Sequence, residues 1–210
     1  MSGEKTILYI HGMGGGGDSR IPSILKGHIA GVTVRTYSFN PDIAAGQIDA
    51  WVRELRPDLI IGESLGSLHA IGIKGIPHIL VSPSLNAPLY LGYLAFLTRI
   101  PGVTALVDRI YRPKEGDRQK LHFTYGVMRK YLSLRRKALD NSPLRGGGDS
   151  FFAFFGTRDH YRRSGIVSIR TWKKYFGAAY ATYSGTHFME EEYVLSMLLP
   201  KINEVLYGLK

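Results

Sequence analysis

Residues 59–66 spell LIIGESLG, an apolar run that ends in Gly-x-Ser-x-Gly. The run predicts a buried strand, and residues 67–71 predict a helix immediately after it. A serine in this strand–turn–helix context stands on a sharp turn, which exposes its hydroxyl as a nucleophile. Gly62 and Gly66 suit that turn because larger side chains would collide with neighbouring backbone. The pattern predicts an α/β protein with Ser64 at the end of a buried strand.

Strand-like and helix-like segments alternate along most of the chain. We predict strands at 6–10, 32–39, 59–62, 76–83, 151–155 and 178–183, and helices at 19–27, 42–53, 67–71, 121–139, 163–176 and 190–206. Such alternation is typical of a parallel sheet with helices on both faces. We expect a single α/β domain spanning residues 1–210, with a doubly wound, mostly parallel sheet of about six strands.

The alternation breaks between residues 86 and 148, where we predict a helical lid over the carboxyl ends of the strands. This segment holds 12 Lys or Arg and 4 Asp or Glu, in a chain whose net charge is +10. A solvated helix face is the simplest interpretation. Sharper interpretations are a cationic rim that attracts acidic substrates, or contact with an anionic membrane surface. Nucleic acid is not predicted, because no recognised nucleic-acid motif accompanies the charge.

The chain has no cysteine, which excludes disulfides, zinc–thiolate sites and thiol nucleophiles. Its longest apolar run, residues 89–97, is about half as long as a membrane span, so we predict no transmembrane helix. The first strand begins by Thr6, which leaves no room for a signal peptide. We therefore expect a cytoplasmic protein. The sequence leaves the oligomeric state open.

Residues 11–17 spell HGMGGGG after the first predicted strand and allow two interpretations. Their spacing fits the Gly-x-Gly-x-x-Gly fingerprint of dinucleotide sites. However, the second strand lacks the acidic residue that would bind a ribose hydroxyl, and Asp18 and Ser19 break the Walker A pattern. Alternatively, His-Gly-x-Gly forms an oxyanion loop, in which the Met13 N–H binds a developing negative charge. The presence of Ser64 favours the second interpretation.

An acidic residue and a histidine follow two late strands, where a doubly wound sheet places its reactive groups. Asp159 and His187 complete, with Ser64, the chain order serine, acid, histidine of hydrolases with this elbow. In this triad His187 removes the serine proton, and Asp159 holds the imidazole in the required tautomer. Weaker candidates for the acid and base roles are Asp140, Asp149 and His160. We expect Glu63, beside the serine, to make a packing or polar contact.

Four motifs together resemble those of small α/β-hydrolase-fold serine hydrolases of the bacterial esterase type. They are His11-Gly12 and residues 62–66, 156–159 and 185–188, which span nearly the whole chain. The resemblance implies the α/β-hydrolase fold and hydrolysis of carboxylic esters through an acyl-enzyme intermediate. It also implies an oxyanion hole formed by the backbone N–H groups of Met13 and Leu65, with no metal or organic cofactor. The expected substrate is a small-molecule ester, with anionic esters included.

Within such proteins the lid and pocket set the substrate. We place Leu94 and Phe96 in the acyl pocket, because the apolar segment 89–97 follows the fourth predicted strand. Three alternatives stay open. They are an acyl-CoA thioesterase that uses the same triad, a nucleotide-binding protein, and a catalytically silent hydrolase-fold protein that binds a partner.

Overall fold

A computed structural model of the chain describes residues 5–113 and 115–208. Within them, six strands form one sheet in the order β2–β1–β3–β4–β5–β6, and all neighbouring strands are parallel. The strands are β1 (Ile7–Ile10), β2 (Val32–Val34), β3 (Leu59–Glu63), β4 (His78–Val81), β5 (Phe151–Gly156) and β6 (Tyr180–Tyr183). The predicted doubly wound α/β sheet is confirmed, and it is parallel throughout. All six carboxyl ends therefore meet along one edge.

Helices connect the strands and cover both faces of the sheet. They are α1 (Arg20–Lys26), α2 (Pro41–Leu55), α3 (Ser67–Gly72), α4 (Ala87–Leu94), α5 (Val103–Ile110), α6 (Tyr125–Asp140), α7 (Ile169–Phe176), α8 (Glu191–Tyr193) and α9 (Leu199–Tyr207). Side-chain caps define several of their starts: Thr124 accepts a hydrogen bond from the Val127 N–H, and Ser168 accepts one from the Thr171 N–H. Over the described residues, no helix has both the length and the apolar character needed to cross a membrane.

The strands divide their side chains between two apolar layers, because successive residues of a strand point to opposite faces. Leu8 and Ile60 belong to the layer that contains the buried side chains of α2, α3, α6 and α7. Ile7 and Ile61 belong to the layer that contains those of α1 and of the C-terminal helices. Both β1 and β4 are buried along their whole length. This explains why the strands are nearly continuous apolar runs rather than alternating ones.

Several elements differ from the sequence prediction. The strand expected at 32–39 ends at Val34, and the helix expected from residue 163 begins only at Ile169. The closing helix is interrupted by a π-helical turn at Val194–Leu198. Pro200 explains this interruption, since it has no N–H to continue the regular hydrogen-bond ladder.

The segment predicted as a lid, residues 86–148, consists of an inner and an outer part. The inner part is α6, which packs on α2 and α3 and buries Met128, Tyr131, Ala138 and Leu139. It is therefore one of the helices that cover the sheet. The outer part comprises α4, a 3₁₀ turn at Ala95–Arg99, and α5. Of these three, α5 alone has no buried side chain. The prediction of a lid thus concerns the outer part alone.

Candidate active site

The turn after β3 holds Ser64 with a φ of 50°, in the left-handed region that non-glycine residues rarely adopt. Such strain costs about 1–3 kcal/mol and persists only where the surroundings enforce it. Here a Cβ atom on Gly66 would lie 2.1 Å from the His11 carbonyl oxygen, and one on Gly62 would lie 2.7 Å from Ala70 Cβ. The two glycines therefore let β1 and α3 close on the turn and hold Ser64 at the carboxyl edge of the sheet.

Ser64, His187 and Asp159 form a continuous hydrogen-bonded line. Ser64 Oγ lies 2.9 Å from His187 Nε2, and His187 Nδ1 lies 2.8 Å from Asp159 Oδ2. His187 and Asp159 are 2% and 3% exposed, so little water competes for these bonds. When the Nδ1–H donates to the carboxylate, Nε2 is left as the acceptor for the serine hydroxyl. The structure thus brings together three side chains that the sequence separates by up to 123 positions.

The second oxygen of Asp159 fixes the orientation of its carboxylate. Asp159 Oδ1 accepts a hydrogen bond from the Tyr161 N–H at 2.8 Å, and the Tyr161 ring packs edge-on against His187, with ring centres 4.7 Å apart. His160 is exposed, and its ring centre lies 6.2 Å from that of His187. Asp149 accepts from the Gly75 N–H, beside the amino end of β5 and away from Ser64. Asp140 is exposed at the end of α6. None of the three weaker candidates therefore replaces a member of the line.

Two charged side chains hold the loop that carries His187. The Glu190 carboxylate accepts the Thr186 N–H, with oxygen distances of 3.0 and 3.2 Å. The Arg20 guanidinium donates to the carbonyl oxygens of Phe188 and Met189. Met189 itself has a φ of 29°, so the chain turns sharply just after the histidine. These contacts limit the rotation of the imidazole away from Ser64.

Ser84 contacts the serine hydroxyl and was not predicted as a site residue. Its Oγ lies 3.1 Å from Ser64 Oγ, and its N–H donates to the Ser64 carbonyl oxygen at 3.1 Å. Ser84 is 3% exposed and follows β4, the neighbour of β3 in the sheet. The signal that could have identified it is this adjacency: once β4 is placed beside β3, the polar residues after the two strands must meet.

The loop after β1 approaches the serine from the other side. A Cβ atom on Gly12 would lie 3.0 Å from Ser64 Cβ, so the loop backbone passes directly over the elbow. The Gly14 N–H donates to Gln119 Oε1 and the Gly15 N–H to the Gly12 carbonyl oxygen. Within residues 5–113 and 115–208, no hydrogen bond has the Met13 N–H as its donor. The N–H of Leu65 lies in the first turn after Ser64, where helical N–H groups lack partners in the chain.

Residues 116–119, which we call the strap, fasten the glycine loop from outside. The Gln119 N–H donates to the Gly15 carbonyl oxygen at 2.7 Å, and Gly16 pairs with Arg118 in an antiparallel bridge. A Cβ atom on Gly16 would lie 1.7 Å from the Asp117 carbonyl oxygen, and one on Gly17 would lie 2.1 Å from the Asp117 carboxylate. These glycines therefore make room for the strap.

Comparison with solved structures identifies the fold of the chain. The chain superposes on a metagenome-derived lipolytic enzyme with a TM-score of 0.63 and 14% identity, over 96% of this chain and 94% of that one. It superposes on the monoacylglycerol lipase of Paleococcus ferrophilus with a TM-score of 0.60 and 16% identity, over 95% and 93% of the two chains. For epoxide hydrolase A of Mycobacterium thermoresistibile the TM-score is 0.53 at 14% identity, over 100% and 93%.

This protein has the α/β-hydrolase fold. No family model matches the sequence, and the search of curated proteins finds no match. The fold predicted from the four motifs is confirmed. At these identities the superpositions establish the fold only, so the chemistry must be argued from the site itself.

In this α/β-hydrolase fold, His11 supports the glycine loop from below. It is fully buried, its Nδ1 lies 2.7 Å from the Gly12 carbonyl oxygen, and its ring stacks on Tyr37 with centres 4.2 Å apart. Burial lowers the pKa of His11 to about 4, so the imidazole is neutral at pH 7. Tyr37 in turn donates its hydroxyl to the His11 carbonyl oxygen. These contacts give His11 a structural role, because they hold the glycine loop in place.

Glu63 lies against the triad without belonging to it. Its Oε2 accepts the Tyr9 hydroxyl at 2.8 Å, which provides the polar contact expected from the sequence. Burial raises the pKa of Glu63, while the Tyr9 hydrogen bond and the nearby His187 oppose the rise. The Tyr9 pKa is raised as well, by burial first and by Glu63 second. Tyr9 and Glu63 thus form a second polar pair beneath the elbow.

The two residues assigned to an acyl pocket lie on the outer part of the insertion. Leu94 ends α4 and is 44% exposed, and Phe96 lies in the following 3₁₀ turn and is 54% exposed. The Phe96 ring packs edge-on against Tyr125, with ring centres 5.5 Å apart. Arg135, one of the basic residues of the 86–148 segment, donates to the Leu85 carbonyl oxygen at 2.8 Å. It therefore fixes the loop between Ser84 and α4, and is not a free surface cation.

Proposed function

We propose that this protein is a serine hydrolase that cleaves carboxylic esters through an acyl-enzyme intermediate. The observation that carries the proposal is the line from Ser64 Oγ to His187 Nε2 and from His187 Nδ1 to Asp159, with distances of 2.9 and 2.8 Å. Serine is a weak nucleophile until a neighbouring base removes its proton. The line supplies that base and a buried carboxylate to orient it. No metal or organic cofactor enters the proposed mechanism.

In the first half-reaction His187 Nε2 takes the hydroxyl proton as Ser64 Oγ attacks the ester carbonyl carbon. The carbonyl oxygen becomes an oxyanion, and the N–H groups of Met13 and Leu65 stabilise it. His187 then gives the proton to the alcohol oxygen as the carbon–oxygen bond breaks, which leaves the acyl group on Ser64. Asp159 stabilises the transient imidazolium and stays ionised.

In the second half-reaction a water molecule replaces the alcohol. His187 removes a proton from the water, the hydroxide adds to the acyl carbon, and the same two N–H groups bind the new oxyanion. Collapse breaks the bond to Ser64 Oγ, which recovers its proton from His187. The products are a carboxylic acid and an alcohol, and the enzyme returns to its starting state. Loss of one oxyanion donor typically lowers turnover by about 10²–10³.

Covalent labelling tests this function. A fluorophosphonate probe reacts when Ser64 Oγ attacks phosphorus and fluoride leaves, and intact-mass measurement counts the adducts. We expect one adduct per chain in the wild type and in Ser196→Ala, which removes an exposed serine of the π-helical turn. We expect no adduct in Ser64→Ala. A folded wild-type protein without any adduct would refute the proposal and would favour the catalytically silent binding protein.

The ester substrate is bound, in this proposal, with its acyl chain along Leu94 and Phe96. Shortening either side chain to Ala should then shift the preferred acyl-chain length in a panel of p-nitrophenyl esters. An unchanged chain-length profile in both variants would remove these residues from the acyl pocket. The position of Phe96 against Tyr125 makes Leu94→Ala the cleaner variant, because it disturbs no ring packing.

Acyl-CoA hydrolysis is a second candidate, favoured by the exposed cations of the insertion. Arg109, Arg112 and Lys120 are exposed, and the phosphates of coenzyme A would be attracted to them. The same triad would act on the thioester carbonyl. The discriminating measurement is the salt dependence of KM for an acyl-CoA and for an uncharged ester of the same chain length. A KM that rises with salt for the acyl-CoA alone supports this candidate, and equal responses contradict it.

A further inference from the structure

Helix α5 is amphipathic in the reverse sense to an ordinary surface helix. Its polar side chains attach it to the protein: Asp108 accepts hydrogen bonds from the Phe123 N–H at 2.8 Å and from His122 Nδ1 at 2.6 Å, and Thr104 donates to the Phe123 carbonyl oxygen. Val107 packs partly on the core, but the two largest apolar side chains face outward, with Leu106 58% and Ile110 66% exposed. A helix that packs only on its own domain has the opposite arrangement. The apolar side of α5 therefore lacks the contact that its composition favours.

Helix α4 and the following 3₁₀ turn show the same reversal. Their small residues face inward, where Pro88, Gly92 and Ala95 are buried. A Cβ atom on Gly92 would lie 2.7 Å from Leu132 Cδ1, so α4 packs closely on α6 through its glycine. Leu91 packs partly on the core, whereas the other large apolar residues of this stretch face outward, and Tyr93 reaches 82% exposure. The close packing of α4 on α6 at Gly92 leaves little room for them on the inner side.

The exposed apolar side chains of residues 89–111 form one surface, which we call the apolar cap face. Of the 15 large apolar residues exposed in the described parts of the chain, ten lie in this stretch of 23 residues. The 3₁₀ turn contacts both α4 and α5, so the three elements are continuous. Single exposed apolar residues are common on proteins, but contiguous apolar surface marks a site of interaction.

The charges around this face indicate what it contacts. Three arginines border it, namely Arg99, Arg109 and Arg112, and all are exposed. The one acidic residue between positions 87 and 112 is Asp108, whose carboxylate is already bonded to His122 and Phe123. A second copy of this chain would also carry a net charge of +10, which opposes self-association through this face. An anionic phospholipid surface matches both the apolar side chains and the arginines.

We propose that the apolar cap face docks on anionic phospholipid bilayers. Its large side chains other than Leu94 and Phe96, which the proposed function places along the acyl chain of the substrate, enter the interface between headgroups and acyl chains. The arginines contact the phosphates. Since α4 begins three residues after Ser84, docking brings the bilayer to the side of the molecule that holds Ser64. The binding does not require catalysis, so it stands or falls independently of the proposed hydrolase activity.

Sedimentation with phospholipid vesicles tests the proposal on the full chain. The wild type should bind vesicles that contain phosphatidylglycerol more tightly than vesicles of phosphatidylcholine alone, and added salt should weaken the binding. The double variant Leu106→Ser with Ile110→Ser should bind at least about tenfold more weakly. Its matched control is Ile43→Ser, which removes an exposed isoleucine from α2 and should bind as the wild type does.

A charge variant completes the experiment. Arg109→Glu with Arg112→Glu should lose most of the preference for anionic vesicles, whereas Arg53→Glu on α2 should keep it. All variants should retain the unfolding temperature, because the changed side chains point away from the core, and the Leu106 and Ile110 variant should also retain any hydrolysis of a soluble uncharged ester. Absence of wild-type binding to anionic vesicles, or equal binding by the Leu106 and Ile110 variant, overturns the proposal. A wild-type dimer in sedimentation velocity that the same variant dissociates would also overturn it, in favour of a second copy.

Discussion

Replacing Gln119 with Met tests whether the strap positions the oxyanion loop. The Gln119 side chain is 1% exposed, and its Oε1 accepts the Gly14 N–H at 3.1 Å, next to the Met13 N–H that our mechanism uses. Methionine keeps the length of the side chain and removes the acceptor. Leaving the Gly14 N–H without its partner should cost about 1–3 kcal/mol of stability, which for a chain of this size lowers the unfolding temperature by several degrees.

Turnover should fall further than stability explains. Complete loss of an oxyanion donor lowers kcat by about 10²–10³, so partial displacement of Met13 should lower it by roughly 10- to 100-fold while KM changes little. The assay is steady-state hydrolysis of a p-nitrophenyl ester. The affinity for a boronic acid inhibitor is measured in parallel, because its tetrahedral adduct mimics the oxyanion. Gln47→Met is the matched control, because Gln47 Oε1 accepts the Ser38 N–H away from the site. A Gln119→Met enzyme that keeps wild-type kcat and inhibitor affinity would refute this account of the strap.

Three further predictions follow from the same contacts. Asp159→Asn should lower kcat by about 10³–10⁴ in steady-state assays, because the imidazole loses its required tautomer, whereas Asp149→Asn should leave kcat unchanged. Gly66→Ala should strongly destabilise the folded protein, as measured by urea unfolding, because the added Cβ would lie 2.1 Å from a carbonyl oxygen. Its control, Gly46→Ala in α2, adds a Cβ with no atom within 4 Å and should stabilise the protein by about 0.5–1 kcal/mol. Burial lowers the pKa of three histidines to about 4, and they are His11, His69 and His78. In the unfolded chain these histidines bind protons near pH 6.5, so unfolding between about pH 6.5 and 4 takes up to three protons. The free energy of unfolding should therefore fall as the pH drops through this range. Urea unfolding measured at a series of pH values gives this slope, and a flat profile contradicts the prediction.

The fold was predictable because its strands lie in the buried layer of the sheet. Strands covered on both faces must be apolar throughout, so segments such as β3 and β5 stand out from their polar surroundings. The polar residues that follow such strands were equally visible, and this is how Ser64, Asp159 and His187 were grouped. The structure places them within hydrogen-bonding distance of one another, and their catalytic role is the proposal that the labelling experiment tests.

Features that depend on contacts between distant segments were not predictable. Nothing local marks Gln119 as the partner of Gly14, because the two lie 105 positions apart. The basic residues of segment 86–148 were interpreted as a solvated helix face, yet Arg135 donates a hydrogen bond to the loop after Ser84. Likewise, no helix was predicted at Val103–Ile110, and only the bonds from Asp108 and Thr104 show which side of α5 faces the protein. In each case the neighbour across the fold decides the role.

Trapping the acyl-enzyme tests the central claim most directly. Turnover of a p-nitrophenyl ester is quenched with acid within the first catalytic cycles, and peptide mass mapping locates any added acyl group. In the wild type we predict one acyl group on the peptide that contains Ser64. In His187→Ala this acyl group should form at a greatly reduced rate. Hydrolysis by the wild type without an acyl group on Ser64, or with one on another residue, would contradict the proposed mechanism.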